Sequence, residues 1–173
     1  DGERMRAALM RADFAKARGD GTARRAALEA AISHGEAHLA GSNDTAAPFM
    51  LALARYAFVL EAGGTLDATT ARRQIDLALP VFEAAVAANP GNELLEKEVV
   101  RGQLLSLTVR LIEQGRTIEG ARALTAKGYD PAPVQAVLAR ARKLTAANPE
   151  NHHLGGFVNG LICGTSGILL DFA

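Results

Sequence analysis

Two histidines form the pair in this chain with the spacing of a metal site. His34 and His38 lie four residues apart, and on an α-helix this spacing puts both imidazoles on one face. The metalloprotease motif needs glutamate directly after the first histidine as general base, but Gly35 stands there and the glutamate follows at Glu36. Two ligands leave a tetrahedral site half built. We interpret the pair as solvated surface histidines, and a metal-dependent enzyme using His34 and His38 is an alternative.

Other residues capable of chemistry lack a partner in the sequence. His152 and His153 fall in the first turn of a predicted helix and are expected to be exposed. Cys163 lies in an apolar run without a nearby cation that would lower its pKa, so it is interpreted as a small buried hydrophobe. Phosphate-loop and nucleophile-elbow motifs are missing from the sequence. We therefore expect no enzymatic activity, no catalytic residues, no metal and no cofactor.

Composition bounds the class of protein. With 173 residues, 49% of them hydrophobic, the chain has enough apolar surface for one domain spanning residues 1–173. Lys+Arg 19 balance Asp+Glu 19 and aromatics make up 5%, which argues against nucleic-acid binding. A single cysteine excludes a disulfide scaffold but leaves bacterial cytoplasm and periplasm both open. From its abrupt ends we expect the chain to be part of a larger bacterial protein.

Helices must position all of these residues, because apolar side chains return at intervals of three and four rather than two. Thr22 is predicted to cap the second helix, and Pro80 is predicted to kink the fourth. Short joins predict one layered array of antiparallel helices. The eight predicted helices cover about residues 3–18, 22–39, 45–62, 68–88, 92–114, 117–126, 130–147 and a last segment after Asn151.

One phrase occurs twice between these helices. Asn89-Pro90-Gly91-Asn92 and Asn148-Pro149-Glu150-Asn151 each close one apolar helical pattern and open the next. Proline stops the first helix, and the following asparagine is predicted to cap the second. The recurrence predicts units of two helices built on one plan.

The residues around the first phrase resemble the tetratricopeptide repeat (TPR). Ala78, Phe82, Ala85 and Pro90 stand at the spacing of its second helix and terminal proline. The repeats are degenerate, because residues 65–73 lengthen one unit and Gly120 replaces an expected alanine. The resemblance covers about residues 48–151 and implies a short α-solenoid of stacked antiparallel hairpins. Positions similar to the family's first helix are Leu53, Tyr56, Ala57, Leu60 and Gly64 in one unit and Leu104, Leu107, Thr108, Leu111 and Gly115 in the next.

The resemblance also implies a function, since TPR arrays hold a partner segment or helix on a concave face. The lining that it implies is mostly apolar, which predicts a protein or peptide partner with a hydrophobic segment. The alternative is that these side chains pack against the chain's own helices. The implied partner-binding positions are Leu51, Ala54, Phe58 and Glu61 in one unit and Gly102, Leu105, Val109, Ile112 and Glu113 in the next.

The last twenty residues support a further alternative. Residues 154–172 carry no charge until Asp171, and Gly156, Gly160 and Gly164 recur at intervals of four. Such a smooth helix face allows close helix packing, and the segment is just long enough to span a membrane. We favour packing within the repeat array, and a membrane-associated or self-associating assembly component, including a homo-oligomer, is the alternative.

Overall fold

The computed structural model describes residues 1–62, 66–115, 130, 132–156 and 158–159, and every regular element among them is α-helical. This confirms the all-α class for the described chain. Residues 152–156 and 158–159 are helical as well. The long helices are α1 (Gly2–Ala17), α2 (Gly21–Leu39), α3 (Ala47–Ala62), α4 (Ala68–Ala88), α5 (Glu93–Gly115) and α6 (Ala132–Ala147).

The chain divides into two compact units, Asp1–Val81 and Phe82–Ala173, with the boundary inside α4. In the first unit α1 packs against α2 and α2 against α3, and in the second α5 packs against α6. The single domain over residues 1–173 stays a prediction, as does the stacking of hairpins into a solenoid. The predicted helix over residues 117–126 lies outside the described residues.

The core of the first unit is built from one face of each of its first three helices. Met5, Leu28 and Ala54 are 1%, 2% and 0% exposed and belong to a single cluster. Gly35 on α2 allows these helices to approach, because a Cβ there would lie 2.8 Å from Met5 Sδ and 3.0 Å from Leu51 Cδ1. Gly35, which stands where the metalloprotease motif needs glutamate, is therefore a residue that allows close helix packing.

A tight turn connects α1 to α2. Gly19 adopts φ +69°, a left-handed conformation that costs glycine little. The Asp20 carboxylate then accepts a hydrogen bond of 2.9 Å from the Ala23 amide, so Asp20 caps α2. The prediction that Thr22 is the cap was wrong, because Asp20 caps the helix, which begins at Gly21 and so already contains Thr22.

Both Asn-Pro-x-Asn junctions work as predicted. Asn92 Oδ1 accepts from the amides of Leu94 (3.1 Å) and Leu95 (3.3 Å), and Asn151 Oδ1 accepts from the amide of Leu154 at 2.9 Å. Each second asparagine therefore caps the helix that follows. The first asparagines are equivalent too, because Asn89 donates to the Ala85 carbonyl and Asn148 to the Leu144 carbonyl.

The second unit has its own core between α5, α6 and the helical residues after Asn151. Val100, Leu104, Val134 and Ala141 are each fully buried in it. Asp130 starts α6 by accepting a 2.9 Å hydrogen bond from the Ala132 amide. The remaining members of this cluster are Val137, Leu138, Leu154 and Val158.

Candidate functional site

An open groove runs along the outer side of the α1–α2 hairpin. Its volume is about 540 Å³, and its floor is the alanine face of α2, since Ala23, Ala26, Ala27 and Ala30 recur at helical spacing. From α1 it is lined by Arg11, Phe14 and Ala15, and Arg18 and Asp20 of the turn after α1 line its end. Small floor residues leave room for the main chain of an incoming segment to approach α2 closely.

Two large apolar side chains of α1 are exposed beside this groove. Phe14 is 68% exposed and Met10 is 62% exposed. Both also line a neighbouring concavity of about 370 Å³, together with Asp13 and Ala17. Phe14 belongs to both depressions and so stands on the ridge between them. We call the two depressions and their lining the α1–α2 face.

The charged side chains of this face differ in whether they already have a bonding partner. Asp20 is engaged as the α2 cap. Arg11 and Arg18 are exposed, and no ion pair or hydrogen bond to either guanidinium occurs within the part of the chain that the structure describes. The two arginines are seven residues apart on the same side of α1 and flank Phe14. The groove therefore combines an apolar centre with two arginines that have no ion pair among the described residues, whereas the carboxylate of Asp13, also without one, lines only the neighbouring concavity.

Most of the partner-binding positions predicted on α3 are buried in the core of the first unit. Leu51 and Phe58 are each 5% exposed, Ala54 is 0% exposed, and all three belong to the core cluster. Glu61 is partly buried and forms an ion pair with Arg24 of α2. These three apolar side chains pack against the chain's own helices, and partner binding at the α3 positions stays a prediction.

The positions predicted on α5 differ from one another. Gly102 is buried and Val109 is 8% exposed, whereas Leu105 and Glu113 are partly exposed. The side chain of Ile112 lies outside the described residues. Partner binding at Leu105 and its neighbours stays a prediction.

One histidine of the predicted pair, His38, has a structural partner. His38 Nε2 lies 3.2 Å from Asp44 Oδ2, and Arg6 Nη2 lies 3.8 Å from the same oxygen, so the ends of α1 and α2 are held to the α2–α3 loop. The hydrogen bond from the Ala46 amide, followed by that from His38, lowers the pKa of Asp44. Among the described residues, no group of three or more His, Cys, Asp or Glu side chains could hold a metal ion. The histidine that could have been a ligand is thus bonded to a carboxylate.

Other predicted features fall at the edge of the description. His152 and His153 are exposed, as expected. Cys163 and most of residues 154–172 lie outside the described residues, so the membrane and self-association alternatives stay predictions. Within the helices that are described, none has the length and apolar character needed to cross a bilayer.

In each unit an ion pair joins two helices and accounts for charged side chains that could be mistaken for functional ones. Arg55 is 6% exposed, and its Nη2 donates to Glu36 Oε1 at 2.7 Å, which joins α3 to α2. Burial lowers the pKa of Arg55, and the Glu36 carboxylate opposes that shift. In the second unit Arg140 of α6 donates to Glu96 Oε2 of α5 through Nε (3.0 Å) and Nη2 (2.6 Å). These groups are committed to holding helices together.

Sequence reasoning missed the α1–α2 face, although a signal was present. In the sequence of α1, Met5, Leu9, Ala12 and Ala15 lie on one face at helical spacing, which leaves Met10 and Phe14 on other sides of the helix. A large apolar residue outside the apolar stripe of a helix indicates either a second packing surface or a binding surface.

Comparison with known proteins gives no relative. No family model, no curated protein and no solved structure matches the chain.

Proposed function

We propose that this chain is a protein-interaction scaffold and that the α1–α2 face is where it binds a segment of a partner protein. The observation that carries the proposal is the pair of exposed side chains Met10 and Phe14 beside an alanine-floored groove. Exposed apolar patches with a polar rim are typical of interaction sites on soluble proteins. Aromatic, methionine and arginine residues are also those enriched at interfaces.

The proposal includes a TPR-like arrangement of hairpins. Its support is the equivalence of the two Asn-Pro-x-Asn junctions. In each junction the first asparagine bonds the end of the preceding helix, and the second asparagine caps the helix that follows. A chain built from repeated hairpins presents its inner faces to neighbours and its remaining faces to partners.

Selection from a random peptide library displayed on phage tests the function without assuming a ligand. We expect peptides that bind the wild-type chain and lose binding to Phe14→Asp, because a carboxylate in the centre of the face cannot be desolvated there. Leu94→Asp is the matched control, since Leu94 is 62% exposed on α5 of the second unit.

Selected peptides should bind this control as they bind the wild type. A selection without any binder, or with binders lost on Leu94→Asp and kept on Phe14→Asp, would contradict the proposal. Circular dichroism and melting of both variants serve as the folding control, and neither should change much because both side chains are exposed.

A further inference from the structure

The partner of the α1–α2 face can be described chemically, and this inference rests on the proposed function. We infer that the face binds an amphipathic helix whose apolar stripe is flanked by acidic residues spaced seven apart. The argument uses the shape of the groove, the position of its cations and the nature of its floor.

Shape favours a helix over an extended segment. The groove lies between two helices joined by a three-residue turn, so it runs along their axes. The side-chain ridges of a third helix can pack into such a groove, with the helix axes about 8–10 Å apart. An extended segment would find no strand edge among the helices α1 and α2 to pair with its amides and carbonyls.

The alanine floor sets what the helix can bring. Ala26 and Ala30 lie one turn apart on α2 and fill little volume, so the partner must supply the large side chains. Leucine-sized residues on the partner would contact these alanines on one side and Phe14 on the other. Burying Phe14, now 68% exposed, would contribute apolar area in the centre of the interface.

Charge sets the flank of the partner helix. Arg11 and Arg18 are two helical turns apart, about 10.5 Å along the α1 axis. A helix alongside α1 presents its own residues at the same interval, so carboxylates at positions i and i+7 face both guanidinium groups. Leucines at i+3 and i+4 then face Phe14.

The acidic groups at the edges argue against an anionic membrane as the occupant. Asp13 and Asp20 both line the face, so its charge is mixed rather than uniformly positive. A flat lipid surface would also leave the concave alanine floor empty, whereas a helix fills it.

The test uses two synthetic helical peptides that differ only in charge. Each carries leucine at i+3 and i+4, and the flanking positions i and i+7 are glutamate in one peptide and lysine in the other. Fluorescence anisotropy at low and at physiological salt measures binding to the full chain. We expect the acidic peptide to bind the wild type at least tenfold more tightly, with a difference that shrinks as salt rises.

The double variant Arg11→Glu/Arg18→Glu should reverse this preference, so that the lysine peptide binds more tightly. The matched control Lys16→Glu/Arg142→Glu makes the same change in net charge at exposed positions outside the face, and it should keep the wild-type preference. If the first variant melts at a lower temperature, Arg11→Gln/Arg18→Gln replaces it, and the preference should then disappear rather than reverse.

Four outcomes would overturn the inference. These are equal binding of the two peptides, a preference that survives Arg11→Glu/Arg18→Glu, Phe14-dependent self-association in sedimentation without peptide, and Phe14-dependent binding to phosphatidylserine vesicles in place of the acidic peptide. If library selection yields Phe14-dependent binders that are neither helical nor acidic, this inference fails while the proposed function stands. If selection yields no binder, both fail.

Discussion

The depressions on the two units show opposite uses of arginine. The pocket of about 290 Å³ between α5 and α6 is lined by Glu96, Arg140 and Lys143, and its arginine is held by two hydrogen bonds to the glutamate. In the groove of about 540 Å³ on α1 and α2, Arg11 and Arg18 form no ion pair with any described residue and lie beside an exposed phenylalanine. Where a cation already has its counter-ion the surface is structural, and where it lacks one beside apolar area the surface suits a partner.

The largest expected effect compares two phenylalanines of the first unit. Phe58→Ala removes a side chain that is 5% exposed in the core and should lower the free energy of unfolding by about 3–5 kcal/mol. Phe14→Ala removes one that is 68% exposed and should change it by less than about 0.5 kcal/mol. Urea denaturation measures both. Similar losses for the two variants would mean that Phe14 is structural, and the α1–α2 face would then not differ from the core of its unit.

The next effect tests whether the core of the first unit is fully packed. If it is, the open groove on α1 and α2 is a surface feature rather than a sign of loose packing. Gly35→Ala brings a methyl group against Met5 and Leu51, at a cost of about 1–3 kcal/mol that exceeds the gain in helix propensity. Gly156→Ala is the matched helical control, since a Cβ there meets nothing within 4 Å, and it should stabilise by up to about 1 kcal/mol. Thermal melting compares them, and a stabilised Gly35→Ala variant would show spare room inside.

A smaller effect separates the arginines. Arg140→Met breaks the pair with Glu96, whose side chain is 25% exposed, and should destabilise the chain by less than about 1 kcal/mol. Arg11→Met breaks no ion pair within the described chain and should leave stability unchanged while weakening binding of the acidic peptide. If Arg11→Met lowers the free energy of unfolding in urea more than Arg140→Met does, Arg11 has a structural role and this account of the two arginines is wrong.

The smallest effect concerns Asp44, which ties the ends of α1 and α2 to the following loop. Its pKa is lowered in the folded chain from the ordinary value of 3.8, so its contribution to stability is present above that value and is lost as the pH falls through the lower folded pKa. Asp44→Asn should therefore melt below the wild type at neutral pH, and the difference in melting temperature should narrow as the pH falls below 3.8 and vanish below the lower folded pKa. A gap that persists in strong acid would mean that the carboxylate charge is not what stabilises the loop.

The helices and their junctions could be predicted because they depend on local chemistry. The bounds of α4, residues 68–88, and the asparagine caps at Asn92 and Asn151 follow from periodicity and from a side chain that reaches its own backbone. The Thr22 cap failed for the same local reason, since the Asp20 carboxylate bonds the Ala23 amide and starts the helix at Gly21, which leaves Thr22 inside the first turn.

The site could not be predicted in the same way, because an apolar side chain carries no mark of which neighbour will cover it. Phe58 and Phe14 are of the same residue type and both lie on helices, yet Phe58 is in the core and Phe14 is exposed. Only the packing of α1 and α2 around Gly35 and the turn at Gly19 decides which face remains open.

Amide chemical-shift mapping tests the central claim most directly. On titration of the acidic helical peptide into isotopically labelled chain, we expect the largest shifts between Met10 and Arg18 and between Ala23 and Ala30, on the two sides of the groove. Shifts concentrated on α5 around Leu105 and Val109, with the α1–α2 face unmoved, would contradict the account.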